Sequence, residues 1–195
     1  MRRVLMSLGA LLALTASVSL AQQSQQRAPS GGDGLWIAGG LGSGWARVAC
    51  EICQTDRGTD FSGFLGVGGR LNRRMMIGAE ASGWLHSEGN INESMWGVSA
   101  VAYWHPVNRR GFMWKAGIGL MQYKNADDQD ALTSTAIGFQ LGTGYVIPVT
   151  QRLAAMPYLN LSLAPFGGEV KFNSATILDR ASLSLVQVGI GVLRR

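Results

Sequence analysis

The residue types that could carry chemistry are few. Cys50 and Cys53 form a Cys-x-x-Cys motif and are the only cysteines of the 195-residue chain. In an oxidising compartment such a pair favours a disulfide that tightens a loop. A redox site would need a helix N-terminus to lower the pKa of a thiol, and a zinc site would need about four ligands. The surrounding sequence predicts neither, so we expect the disulfide.

A second group of polar residues surrounds His86, one of two histidines. Together with Ser87, Glu88 and Glu93 it could imitate a hydrolase site, since such a site needs a nucleophile, a base and an orienting group within hydrogen-bond reach. Adjacent residues of a strand point to opposite sides, which separates Ser87 from His86. We therefore expect His86 to be a polar residue at a membrane boundary and the chain not to be an enzyme.

Other segments that suggest a ligand have simpler explanations. His105 lies in the segment HPVNRR, whose Pro and Asn are typical of a turn. The segment NADDQD at 125–130 resembles a calcium loop but lacks the Gly and closing Glu of an EF-hand. The GxG repeats are not followed by predicted helices, so they do not indicate phosphate-binding loops. We expect no cofactor and no metal.

The N-terminus has the parts of a secretory signal. Arg2 and Arg3 form a positive region, and the run Val4–Val18 is nearly all apolar. Small residues at Ser19 and Ala21 suit a signal peptidase, so cleavage is expected after Ala21. The apolar run is short for a membrane helix, which needs about 20 residues. The first 21 residues are therefore predicted to be a signal peptide that exports the chain.

The composition of the remaining chain limits its class. Residues 22–34 are rich in Gln, Ser, Gly and Pro and predict a flexible lead-in, so one folded domain is expected over 35–195. Charged residues make up 15% of the chain, against about 25% in typical soluble domains. This is typical of a sealed soluble barrel or of a membrane barrel. The net charge of +5 belongs partly to the signal peptide, and no nucleic-acid partner is expected.

Apolar residues recur with period two along this domain. In the third stretch Met75, Ile77 and Leu85 alternate with Glu80 and Trp84, which gives one bulky apolar face and one small or polar face. The pattern predicts lipid outside and a polar lumen. The fold is therefore predicted to be all-β, an eight-stranded antiparallel up-and-down transmembrane β-barrel. The predicted strands are Leu35–Val48, Phe61–Leu71, Met75–His86, Ser94–Trp104, Phe112–Tyr123, Thr133–Ile147, Leu153–Ala164 and Ser182–Leu193.

Charged residues within the predicted strands favour the membrane interpretation. Almost no position on the predicted strand faces carries a charge. The charged residues are Arg70, Glu80 and Lys115, all on the face opposite the bulky aliphatic residues. A charge on the lipid side would cost roughly 2–4 kcal/mol at mid-membrane, and unpaired charges inside a narrow barrel are also unfavourable. We predict that Arg70, Glu80 and Lys115 form a lumenal ion-pair network.

The predicted connections alternate between long and short, and the last long one is expected over Gly168–Arg180. Outer-membrane barrels have short periplasmic turns and longer extracellular loops. Basic residues gather in the short turns and acidic residues in the long loops, so the turns could meet anionic phospholipid head groups. Aromatic residues near stretch ends predict interfacial girdles. These residues are Trp36, Trp45, Trp84, Trp96, Trp104, Trp114, Tyr145 and Phe166.

Several segments together carry a family resemblance: GGLGSGW, then CEIC, then SGFLGVGGRLNRRMMIGAEASGW, and the closing LVQVGIGVLRR. Over Leu35–Arg195 the chain resembles the small OmpA/OmpX-like outer-membrane β-barrel proteins of bacteria, and within them a poorly characterised exported subgroup. The resemblance implies a Gram-negative envelope and insertion by the barrel assembly machinery. One departure is the ending Leu193-Arg194-Arg195, because such barrels commonly end in an aromatic residue.

Four functions remain open at this point. The favoured one is an integral outer-membrane protein, monomeric and in contact with outer-membrane lipid, with a structural or surface-contact role. The alternatives are a soluble periplasmic barrel that binds a small apolar ligand and a barrel-embedded hydrolase with His86 at the rim. A conducting, porin-like pore is the weakest, since eight strands leave an interior that side chains can fill.

Overall fold

The structure, a computed structural model, describes residues 34–49, 58–88, 91–106, 111–126, 131–172 and 175–194. Each strand pairs with the next in antiparallel order, and β1 pairs with β8, so the sheet closes into a barrel. The predicted eight-stranded fold is thereby confirmed. Among these residues no helix is long and apolar enough to cross a membrane. The strands are β1 (Leu35–Ala49), β2 (Gly58–Arg70), β3 (Met75–Glu88), β4 (Ile91–Trp104), β5 (Gly111–Ala126), β6 (Ala131–Pro148), β7 (Leu153–Phe172) and β8 (Ala175–Arg194).

Some of the predicted features lie outside the described residues. These are the signal peptide, the lead-in up to residue 33, the motif formed by Cys50 and Cys53, and the aspartates of 127–130. The disulfide and the cleavage after Ala21 therefore stay predictions.

Burial alternates along the strands as the period-two pattern predicts. On β3 the side chains of Glu80 and Trp84 are buried, whereas those of Ile77 and Leu85 are exposed. The same division holds around the barrel, and its outer wall carries large aliphatic and aromatic side chains in the described strands. A soluble barrel with an apolar ligand site would need these side chains to face the lumen. The structure places them outside.

The strands are longer than the alternation predicts at one end of the barrel. We call this end, where β1–β2, β3–β4, β5–β6 and β7–β8 are connected, the hairpin end, and the opposite end, with connections at 71–74, 105–110 and 149–152, the turn end. The predicted loop over Gly168–Arg180 is wrong, because both β7 and β8 have 20 residues and only 173–174 separate them. Much of the predicted long connections over 87–93, 124–132 and 168–180 thus belongs to paired strands, in which most backbone groups have ladder partners.

A bulge explains why the extension of β7 is hard to see in the sequence. The β7–β8 register shifts between Ala164 and Gly168, and Gly167 lies in the left-handed region with a φ of 72°. Pro165 also lies there and has no N–H for the ladder. Proline and glycine are typical of a loop, yet a β-bulge accommodates an extra unpaired residue and the strand continues beyond it. Phe166 consequently points outward and is 75% exposed.

Two details of the side-chain faces differ from the sequence interpretation. Trp36 and Trp84 are both only 1% exposed and lie in the lumen rather than in an interfacial girdle. Their indole N–H groups donate to backbone oxygens, Trp36 to Gly69 and Trp84 to Gly44. Arg47 lies on the outer face near the hairpin end of β1, so the strand charges are not confined to the lumen.

Candidate functional site in the barrel lumen

A polar cluster occupies the middle of the lumen and is centred on Glu80. Lys115 Nζ lies 2.6 Å from Glu80 Oε1, and Gln140 Nε2 donates to the same oxygen at 2.6 Å. Tyr103 donates its hydroxyl hydrogen to Glu80 Oε2. We call these four residues the Glu80 cluster. They come from the consecutive strands β3, β4, β5 and β6. Glu80 on β3 thereby contacts side chains of β5 and β6, two strands that do not pair with β3.

Strand register places two members of the cluster side by side. Tyr103 and Lys115 are direct partners across β4 and β5, and alternation turns both side chains inward. Gly142 is the β6 partner of Lys115. A Cβ atom at position 142 would lie 3.0 Å from Lys115 Cε, so glycine there leaves room for the lysine stem inside the barrel.

Burial makes this ion pair unlike a surface one. The side chains of Glu80 and Lys115 are 0% and 2% exposed, so water contributes little to solvating either charge. The ammonium of Lys115 also lies 5.2 Å from the centre of the Phe64 ring, within the range of a cation–π interaction. Two charges and several hydrogen bonds compensate one another where a single charge would be strongly unfavourable.

Arg70, the third residue predicted for this network, also lies on the inward face, and its part in the network stays a prediction. Gly66 is the β2 partner of Glu80, and Arg70 lies four positions farther along β2, at the turn end. Arg70 is half-buried. The structure thus brings together Glu80 and Lys115, and adds Tyr103 and Gln140, which the sequence interpretation missed.

Apolar side chains fill the lumen on both sides of the Glu80 cluster. One apolar group lies toward the turn end and includes Trp36, Met76 and Met156. A second apolar group lies toward the hairpin end and includes Trp84, Met95 and Leu185. Their members are all less than one tenth exposed. The lumen is therefore packed like a protein interior, as expected for eight strands.

His86 lies at the hairpin end, above Trp84. Its Nδ1 is 3.0 Å from Asp60 Oδ2, its Nε2 is 3.8 Å from Glu88 Oε2, and its ring stacks on that of Trp84 with 5.6 Å between centroids. Ser87 instead donates its hydroxyl to Asn92 Oδ1 at 2.8 Å. The structure brings His86 to carboxylates and not to the neighbouring serine, so the arrangement is a histidine–carboxylate contact at the barrel rim rather than a nucleophile with its base.

The second histidine singled out in the sequence is a buried residue of the fold. His105 is buried at the turn end, where its backbone N–H donates to Arg74 O at 2.8 Å. Within the described ranges no group of three or more His, Cys, Asp or Glu side chains is arranged to hold a metal ion. The chemistry that the Glu80 cluster supports is electrostatic cross-linking of strands through the lumen.

Comparisons with known proteins support the fold. No protein-family model matches the chain, and no curated protein matches it either. Among solved structures it is similar to Neisserial surface protein A, with 14% identity, a TM-score of 0.56, and coverage of 82% of this chain and 96% of that one. It is also similar to Ail, the attachment invasion locus protein of Yersinia pestis, with 12% identity, a TM-score of 0.53, and coverage of 83% and 99%. Both are eight-stranded outer-membrane barrels. At these identities the similarity establishes a shared fold.

Proposed function

We propose that the chain is an integral outer-membrane protein whose filled barrel is a scaffold for surface hairpins, with a structural or surface-contact role and no catalysis. The observation that carries the proposal is the inverted arrangement of side chains. Bulky apolar residues such as Leu41, Leu65 and Leu141 are each more than half exposed on the outer wall, while the Glu80 ion pair is inside. Water would not favour this outer surface, whereas lipid would.

The dimensions of the final hairpin support a surface role. A strand of 20 residues is about 66 Å long at 3.3 Å per residue, and a tilt of about 40° leaves about 50 Å of height. An outer-membrane barrel has an apolar band only about 25 Å tall. Strands β7 and β8 therefore continue well beyond the membrane, and the hairpin end offers a projecting β-hairpin for contacts.

The packed lumen supports a barrel that does not conduct. Trp36 and Trp84 are large, buried side chains on opposite sides of the Glu80 cluster. Purified protein reconstituted in planar bilayers is expected to give no unit conductance, with a wide porin as the positive control. A steady open channel in the unmodified chain would contradict the sealed-scaffold proposal.

Fractionation of expressing cells tests the location directly. The protein is expected in the outer-membrane fraction, with different mobility in unheated and boiled gel samples. Recovery from the soluble periplasm would overturn the proposal. In a Cys50→Ser/Cys53→Ser background, Lys171→Cys at the hairpin end should react with an impermeant maleimide on intact cells. Arg73→Cys at the turn end should react only after permeabilisation. The opposite pattern would mean that the turn end, and not the hairpin end, faces the cell exterior.

A further inference from the structure

A depression with two arginines lies at the turn end, between the β6–β7 turn and the end of β8. It is lined by Thr150, Gln151, Arg152, Leu153 and Arg194, and its volume is about 680 Å³. We call it the two-arginine pocket. Both arginines are exposed, so their guanidinium groups are available to a ligand from the surroundings of the barrel.

The position of Arg194 in the sheet directs it to the membrane boundary. It pairs with Ile37 of β1 on one side and with Leu153 of β7 on the other. Both neighbours face outward and are about 40% exposed, at 40% and 41%. An arginine between apolar neighbours lays its aliphatic stem along them and extends its charged end toward the polar head groups.

The position of Arg152 is fixed by its turn. The backbone N–H groups of Val149 and Thr150 donate to Leu153 O at 3.0 and 2.9 Å. Thr150 Oγ1 in turn accepts hydrogen bonds from the backbone N–H groups of Arg152, at 3.3 Å, and of Leu153, at 3.0 Å. The backbone that carries Arg152 is thus held in place before any ligand binds, which reduces the entropy cost of binding.

The electrostatics of the pocket favour an anion. The ion pairs found among the described residues lie in the lumen or toward the hairpin end, and none of them includes Arg152 or Arg194. A guanidinium group offers a planar fork of donors that matches the oxygens of a phosphate. Two such groups beside one depression supply the charge and the donors for a phosphate monoanion.

We propose that the two-arginine pocket binds the phosphate of an anionic phospholipid in the periplasmic leaflet of the outer membrane. The outer wall next to the pocket, on β7 and β8, carries exposed Leu159, Ile190 and Val192, which provide an apolar surface for the acyl chains. This inference deepens the proposed function and rests on it, since it requires the barrel to be inserted with its turn end at the periplasmic leaflet.

The test uses the purified full-length barrel in detergent micelles. Native mass spectrometry measures retention of short-chain phosphatidylglycerol, with a diacylglycerol of the same chain length, which lacks the phosphate, as the neutral comparison. The variant Arg152→Gln/Arg194→Gln should bind phosphatidylglycerol about 30-fold more weakly, because it removes two basic residues that each attract an anionic lipid. The control Arg73→Gln/Arg74→Gln removes the same charge from another turn and should bind like the unmodified protein.

Three outcomes would overturn the inference. Equal retention by the pocket variant and the control would show that the two arginines do not form the site. Equal retention of the anionic and neutral lipids would show that the phosphate charge is not recognised. Displacement of the lipid by inorganic phosphate at a comparable concentration would show a general anion site. Each result leaves the heat-dependent gel shift intact, whereas a failure of membrane insertion would remove that shift and overturn the proposed function itself.

Discussion

Replacing Lys115 with methionine tests the central role of the Glu80 cluster. Methionine has nearly the same length as lysine and no charge, so Lys115→Met removes the ammonium group with little change in packing. Glu80 then keeps its hydrogen bonds from Tyr103 and Gln140 but loses the charge at 2.6 Å. Solvent has little access to this carboxylate and cannot readily replace the lost charge, since the Glu80 side chain is 0% exposed.

The expected loss in free energy of unfolding follows from this burial. Removing one partner of a buried ion pair typically costs about 3–5 kcal/mol, and the two surviving hydrogen bonds place this case near the lower value. Glu80→Gln should have a similar effect, because it leaves the Lys115 ammonium unpaired. The double variant leaves no buried charge, so its loss should be smaller than the sum of the two single losses by about 1–3 kcal/mol.

Urea unfolding of the detergent-solubilised barrel, followed by tryptophan fluorescence, measures these losses. Trp36 and Trp84 are suitable reporters because both are buried in the lumen. The matched control is Lys124→Met, which removes an exposed lysine from the same strand and should change stability by less than about 0.5 kcal/mol. The reasoning is refuted if Lys115→Met is no more destabilising than this control, or if the losses in the double variant simply add.

Two further predictions concern the wall of the barrel. Leu141→Arg, on the outer face in the middle of β6, should destabilise the folded barrel by about 2–4 kcal/mol, whereas Leu153→Arg at the turn end should cost no more than about 1 kcal/mol. Equal urea midpoints would place both residues at the same depth. Gly42→Ala should sharply lower the fraction that migrates as folded protein on unheated gels, because the added Cβ would overlap a backbone carbonyl oxygen of β8. Gly39→Ala, whose Cβ would make only ordinary contacts at 3.5 Å, should migrate like the unmodified protein, and equal folding of both variants would contradict the overlap.

Local alternation predicts much of this barrel. Side chains in a strand point to alternate faces, so the inward direction of Glu80 and Lys115 follows from the sequence once the strands are recognised. Which inward residues meet depends on the stagger between strands, and alternation carries no information on height. Arg70 shares the inward face but lies near the turn end.

The missed members of the site have a related explanation. Tyr103 and Gln140 carry no formal charge, so nothing local in the sequence marks them as partners of a carboxylate, and they are separated from Glu80 by 23 and 60 residues. A search for neutral donors on inward positions opposite a predicted lumenal charge would have included both. The extension of β7 was missed for another reason, since Pro165 and Gly167 at its bulge have the composition of a loop.

The continued pairing of β7 and β8 also limits how this surface can change during evolution. In an irregular loop an insertion of any length shifts only its neighbours. In a paired hairpin, inserting one residue reverses the face of every side chain beyond it unless a new bulge takes up the extra residue. Substitutions on the exposed face of this hairpin should therefore accumulate readily. Length differences between variants of the protein should either come in matched pairs of residues or coincide with a change at one of the register shifts that β7 and β8 already have beyond Ala164.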